Sequence, residues 1–111
     1  MKAARLTAYG GPEVLEIKDV PAPTLQKGQV LVEVHAAGLN PFDAKLISGI
    51  YKAYIPLTFP VTVGGDFAGV ITGVGEGVTD YTTGDEVYGT ATVLSGGSGA
   101  YAELTTAGVG K

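Results

Sequence analysis

Apolar residues recur at every second position from Val30 to Ala37. Val30, Val32, Val34 and Ala36 share one face, and Leu31, Glu33 and His35 share the other. A period of two predicts a strand, and the mixed second face predicts a sheet with one side on a core and the other near water. Weaker patterns of the same kind precede and follow it. Lys2 to Tyr9 is an apolar-rich run closed by Gly10-Gly11-Pro12, which reads as strand then turn. Val14 to Val20 alternates with Leu15, Ile17 and Asp19 on one side and predicts a half-buried strand. Pro21-Ala22-Pro23 imposes an extended connector, and Lys27-Gly28 a turn.

Beyond Gly38 the period changes. Asn40 can cap a helix, Pro41 suits its first position and Asp43 sits at the positive end of its dipole. Gly49 stops it, so the prediction is a two-turn helix ending about Ser48. Tyr51 to Pro60 is rich in aromatics and proline and reads as an ordered loop. In the glycine-dense centre, Val63 to Val78, Phe67, Val70, Ile71 and Val74 favour strand, with Gly69 and Gly73 marking bends or close backbone approaches. Gly84-Asp85 predicts a turn before a strand from Glu86 to Val93. Ser95 to Gly99 reads as a flexible loop, Ala100 to Thr106 as a last strand, and Ala107 to Lys111 as a tail without a partner in the chain. Short strands at regular spacing with one short helix predict a mainly β fold, a small and partly open β-barrel.

Composition narrows the chemistry. The chain has 111 residues, room for one domain, and 45% are apolar against 16% charged, enough for a packed core. Glycine contributes 18 residues without a collagen period, which suits short strands joined by tight turns. A net charge of −4 and the absence of a basic patch argue against nucleic acid and anionic membrane as partners. With no cysteine, disulfides, thiolate nucleophiles and cysteine-containing zinc sites are excluded, and His35 is the only histidine. The start carries no signal-peptide pattern and no stretch approaches about 20 apolar residues, so the expectation is a soluble cytoplasmic protein.

The glycine clusters invite a nucleotide reading that their spacing does not support. Gly73-Val74-Gly75-Glu76-Gly77-Val78 departs from G-x-G-x-x-G and leads to a turn rather than a helix, so it reads as a tight turn. Gly108-Val109-Gly110-Lys111 fails as a phosphate loop, because the first glycine of G-x-x-x-x-G-K falls on Thr105. His35, within an alternating strand and without a second histidine or a cysteine, reads as a strand residue rather than a ligand or base.

Five blocks in order carry a family resemblance. Gly28 to Asp43, Gly65-Asp66-Phe67-Ala68-Gly69-Val70-Ile71, Val74 to Val78, Gly84-Asp85-Glu86-Val87 and Ala100-Tyr101-Ala102-Glu103 resemble the catalytic domain of the medium-chain dehydrogenases/reductases. The match runs from about residue 1 to 104. It implies a GroES-like fold over residues 1–111, an irregular β-barrel in agreement with the pattern above. The zinc alcohol dehydrogenases of that family place cysteine where this chain has Asn40, and Gly-His-Glu where it has Gly64-Gly65-Asp66. The family's four-cysteine structural lobe is absent as well. Asn-Pro-x-Asp at residues 40–43 resembles the zinc-free, NADPH-dependent quinone oxidoreductase branch.

The resemblance implies hydride transfer from a nicotinamide to a quinone or enone, with NADPH as cofactor and no zinc. In that reading Asn40 and Tyr51 are the catalytic candidates, and Asn40 and Pro41 the cofactor contacts. Asn40 offers an amide donor to a developing oxyanion, and Tyr51 a phenol and an aromatic face for a flat substrate. As residue chemistry alone, Asn40 is equally a helix cap. Asp43 reads as helix-start electrostatics, and Asp66 as a structural carboxylate at a strand start. A Rossmann domain is the expected partner and the main holder of the dinucleotide, so the chain alone is expected to be inactive. The exposed wall facing that domain, Asn40, Tyr51 and the Tyr54 to Phe59 run, would also favour self-association. The alternative is a non-enzymatic GroES-like interaction module of cochaperonin type. That function needs a mobile apolar loop, whereas Ser95 to Gly99 is polar and Tyr51 to Pro60 is proline-fixed.

Overall fold

The computed structural model describes residues 1–11, 15–38, 41–50, 53, 57, 59–91 and 97–109, with Pro41 to Asp43 described in the backbone alone. Among them are seven strands and one helix: β1 (Lys2–Leu6), β2 (Leu15–Asp19), β3 (Gln29–Ala37), α1 (Pro41–Ser48), β4 (Val61–Thr62), β5 (Asp66–Val74), β6 (Glu86–Thr90) and β7 (Leu104–Gly108). The strands form two antiparallel sheets, β2-β1-β4 and β6-β5-β3-β7. The fold is therefore mainly β, and the two sheets form a partly open barrel rather than a closed one.

The alternation in β3 does what its period predicts. Val30 and Val32 are buried, and they meet Phe67 and Ile71 of β5 and Ala107 of β7 in the larger core. The β3–β5 ladder slips between Leu31 and Val32 and again between Val34 and Ala36. Such bulges bend a strand, which lets a four-stranded sheet curl. Gly69 sits inside this ladder, where a Cβ would collide with the Glu33 carbonyl and the Val32 side chain. Only glycine permits the two strands that separation.

The smaller sheet buries Leu6, Ile47 and Val63 together. Helix α1 supplies Leu46 and Ile47 to the interior and ends at Gly49, whose φ of +87° is the left-handed conformation that closes helices. Lys45 in the last turn complements the helix dipole.

Two chain segments meet between the sheets. The first is Val63 to Gly65, between β4 and β5. The second is Ala100 to Glu103, which enters β7. They pair with each other, since Ala100 and Tyr101 amides donate to the carbonyls of Gly64 and Val63 at 3.1 and 3.0 Å. The second segment also pairs with β1: Ala3 bridges Ala102, and the Ala4 amide donates to the Tyr101 carbonyl at 2.7 Å.

Several expectations change here. The last strand is Leu104–Gly108 rather than Ala100 to Thr106, so the segment expected to be unpartnered contributes Ala107 and Gly108 to the ladder with Val30 and Gln29. Residues 100–103 serve instead as the corner between sheets. Strand β2 is less buried than expected: it pairs with β1 on one edge and Leu15 is partly buried, but Glu16 to Asp19 are exposed, Ile17 at 73%. β4, two residues long, falls where no strand was expected. The polar loop is anchored at its end: the Ser98 hydroxyl accepts from the Thr106 amide at 2.8 Å, and the Gly99 amide donates to the Ala91 carbonyl at 2.8 Å. The turns at Gly28 and Gly84 stand as expected, with φ of +77° and +98°.

Candidate functional site

The junction between β3 and α1 is pinned from two sides. The Gly38 amide donates to the Asp66 carbonyl at 3.0 Å, tying the end of β3 to the start of β5. The Tyr101 hydroxyl donates to the Gly38 carbonyl at 3.1 Å. Tyr101 comes from the inter-sheet corner, and its ring lies over Gly64, where φ is +104° and a Cβ would come within 2.6 Å of the ring. A side chain at Gly64 is thus excluded twice, by backbone conformation and by the ring.

Next to it, a Cβ at Gly65 would meet only the Thr90 hydroxyl, at 3.6 Å. The structure therefore brings together the two stretches that the sequence comparison set side by side: the β3–α1 junction and Gly64-Gly65-Asp66. Asp66 begins β5, as expected. Of the predicted site residues, Pro41 opens α1, with its side chain outside the description. Asn40 and Tyr51 lie outside the described residues.

Tyr101 is the residue that pattern reading missed. It belongs to a quoted block, but only a contact 63 residues away along the chain gives it a role at the site. Tyr9 is a second such residue. Its hydroxyl accepts from the Leu57 amide at 2.9 Å, and its ring meets Phe59 edge-on with centroids 4.9 Å apart. It thereby ties Leu57 and Phe59 to the smaller sheet.

The chemistry available for metal and cofactor can be tested on these residues. Among the described residues, no three His, Cys, Asp or Glu side chains cluster closely enough to hold a metal ion. His35 lies on the exposed face of β3, with Nε2 3.2 Å from Glu33 Oε1. The described residues do not fit a dinucleotide grip. The Gly75 amide donates to the Gln29 carbonyl at the start of β3 and the Val78 amide to the Gly75 carbonyl within the turn, so neither is left for a phosphate. The cleft of ≈ 250 Å³ between β6 and β7 is floored by Val30, Phe67 and Ile71, and among the described residues no lysine or arginine lines it. No step can be derived through a dinucleotide held by this part of the molecule.

Residues 26–110 match the alcohol dehydrogenase GroES-like domain family. This chain belongs to that family. It is 45% identical over 105 residues to a quinone oxidoreductase of Rattus norvegicus, covering 94% of this chain and 30% of the relative. It is 44% identical over 89 residues to a chloroplastic NADPH-dependent alkenal/one oxidoreductase of Arabidopsis thaliana, covering 79% of this chain and 23% of that one. Among solved structures, the quinone oxidoreductase of Escherichia coli complexed with NADPH superimposes with a TM-score of 0.82 at 28% identity, covering 96% of this chain and 30% of that one. The GroES-like domain thus spans about a third of the length of the relatives it matches. The resemblance to the quinone oxidoreductases of the medium-chain dehydrogenase/reductase superfamily holds.

Proposed function

We propose that this domain is the substrate-side half of an NADPH-dependent quinone or enone reductase that works without zinc. The observation that carries the reading is the junction itself. The end of β3 and the Gly64-Gly65 corner are locked together through Gly38, Asp66 and Tyr101, yet the corner offers backbone where a metal site needs a ligand. The identity to quinone and alkenal/one oxidoreductases supports the substrate class. The chain's lack of cysteine supports metal independence.

The nicotinamide, held mainly by a separate Rossmann domain, supplies the hydride. This domain's part is positioning and charge stabilisation. Asn40, next to the pinned junction in sequence, is the amide donor to the oxygen that gains negative charge and, with Pro41, the candidate cofactor contact. Tyr51 is the second catalytic candidate, its residue chemistry offering an aromatic face for a flat substrate and a phenol donor. The alternative of a cochaperonin-like module gains no support, since its polar loop is tied down at Ser98 and Gly99.

Two measurements test the reading. Titration of the 111-residue chain with NADPH, followed by fluorescence, is expected to show no micromolar binding, because the described residues supply no dinucleotide grip. In the chain joined to a dinucleotide-binding domain, Asn40→Ala is expected to lower kcat for a quinone or enone by roughly 100-fold or more, the scale of losing one oxyanion donor. Cap loss alone would cost about 0.5–2 kcal/mol of stability. A variant that loses stability and keeps its kinetics would assign Asn40 to capping.

A further inference from the structure

The chain between β3 and α1 is short and anchored at both ends. Downstream, α1 is fixed by buried Leu46 and Ile47, and the Ile47 carbonyl accepts from the Gly10 amide at 3.0 Å. Upstream, the anchor is Gly38. Only Leu39 and Asn40 join it to Pro41, where the helix begins. Asn40 precedes a proline, which biases its backbone to extended conformations. Covalent geometry keeps its Cα within about 7 Å of the Gly38 Cα. The placement of Asn40 therefore depends on the direction in which the chain leaves Gly38.

Gly38 by itself sets that direction poorly. A Cβ there would press on the Asp66 Cβ at 3.3 Å, so the close approach of β3 to β5 favours glycine. Glycine in turn leaves its own dihedrals the least constrained of any residue. The Asp66 carbonyl holds the Gly38 amide, but the onward direction lies in the peptide plane that carries the Gly38 carbonyl. That carbonyl accepts from the Tyr101 hydroxyl at 3.1 Å. Tyr101 is firmly placed to hold it. Its amide donates to the Val63 carbonyl at 3.0 Å, its carbonyl accepts from the Ala4 amide at 2.7 Å, and its ring lies against Gly64. β1 and the Val63-Gly64 stretch thus fix the donor, and neither belongs to the junction.

We infer that Tyr101 is a positioning residue for the site: through the Gly38 carbonyl, its hydroxyl sets the direction from which Asn40 meets the oxygen that gains charge. The inference rests on the reading of Asn40 as the donor to that oxygen. Tyr101 takes no part in the chemistry itself and acts through Asn40. The loss of its hydroxyl frees the peptide plane after Gly38 and leaves the ring over Gly64, so the corner keeps its packing while the donor loses its aim. A donor preorganised toward the developing charge works because it need not reorient during the reaction, and a loosened one gives that advantage up.

Asn40 is the only asparagine of the 111 residues, so its side-chain amide gives one assignable NMR signal in the chain as it stands. Tyr101→Phe is expected to shift and broaden that signal. Ser98→Ala, which removes a hydroxyl bonded to the Thr106 amide of β7 instead, is expected to leave it unmoved. An Asn40 amide unmoved by Tyr101→Phe, or moved as much by Ser98→Ala, would overturn the inference and leave the reductase reading intact. In the chain joined to a dinucleotide-binding domain, Tyr101→Phe is expected to lower kcat for a quinone or enone about tenfold with KM unchanged, and to cost nothing further in an Asn40→Ala background. Fully additive losses would overturn the inference alone. An Asn40→Ala variant with unaltered kinetics would overturn the role of Asn40 in the reductase reading, and this inference with it.

Discussion

The two sheets carry similar residue types and put them to different use. In β6-β5-β3-β7, residues from three strands meet in one core, and Ile71 and Val32 are wholly buried. In β2-β1-β4, β1 buries Ala3 and Leu6, while β2 buries nothing completely and leaves Ile17 at 73% exposure. An isoleucine in an alternating strand is therefore no guide to stability until its covering layer is known. The larger sheet has such a layer because bulges in β3 curl it over its own interior. The smaller sheet depends on α1, Leu57 and Phe59 for cover, and that cover reaches β1 and Leu15 at the start of β2 but leaves Glu16 to Asp19 exposed. The contacts that pin Gly38 come from the start of β5 and from the corner at Tyr101, which also pairs with β1.

The sharpest test of this contrast is the same substitution in both sheets. Ile71→Ala is expected to destabilise the domain by about 2–5 kcal/mol, the cost of a cavity in a core that cannot collapse. Urea unfolding should show it as a lower midpoint at unchanged slope. An intermediate effect is expected at the corner between the sheets. Tyr101→Phe removes the hydroxyl that holds the Gly38 carbonyl and keeps the ring over Gly64, at a cost of about 0.5–1.5 kcal/mol. If the corner links the sheets as described, hydrogen exchange should quicken at the β3–α1 junction more than within β5. The smallest effect belongs to Ile17→Ala, expected within about 0.5 kcal/mol because the side chain is already in water. A loss comparable to that of Ile71→Ala would mean that β2 is covered in solution by something the fold does not show.

Much of the local structure was legible in the order of residues. The alternation at Val30 to Ala37, the helix stop at Gly49 and the turns at Gly28 and Gly84 all depend on neighbours a few positions apart. Backbone conformation and side-chain period act at that range, so sequence alone determined them. The five ordered blocks also determined the family, and one of them holds a close approach that only glycine tolerates, at Gly69 beneath Glu33.

Long-range pairing was decided elsewhere. Nothing local distinguishes Ala100 to Glu103 from Leu104 to Gly108 as the strand; the choice follows from where β1 and β3 stand to receive them. The exposure of Ile17 and the clamp of Tyr101 on Gly38 have the same origin. A period of two assigns side chains to faces, but a face is buried only when another element packs on it, and a hydroxyl finds its acceptor only when distant segments meet. Sequence thus determined the elements, the turns and the family, whereas tertiary structure alone decided which edge is closed, which face is dry and which residues hold the site together.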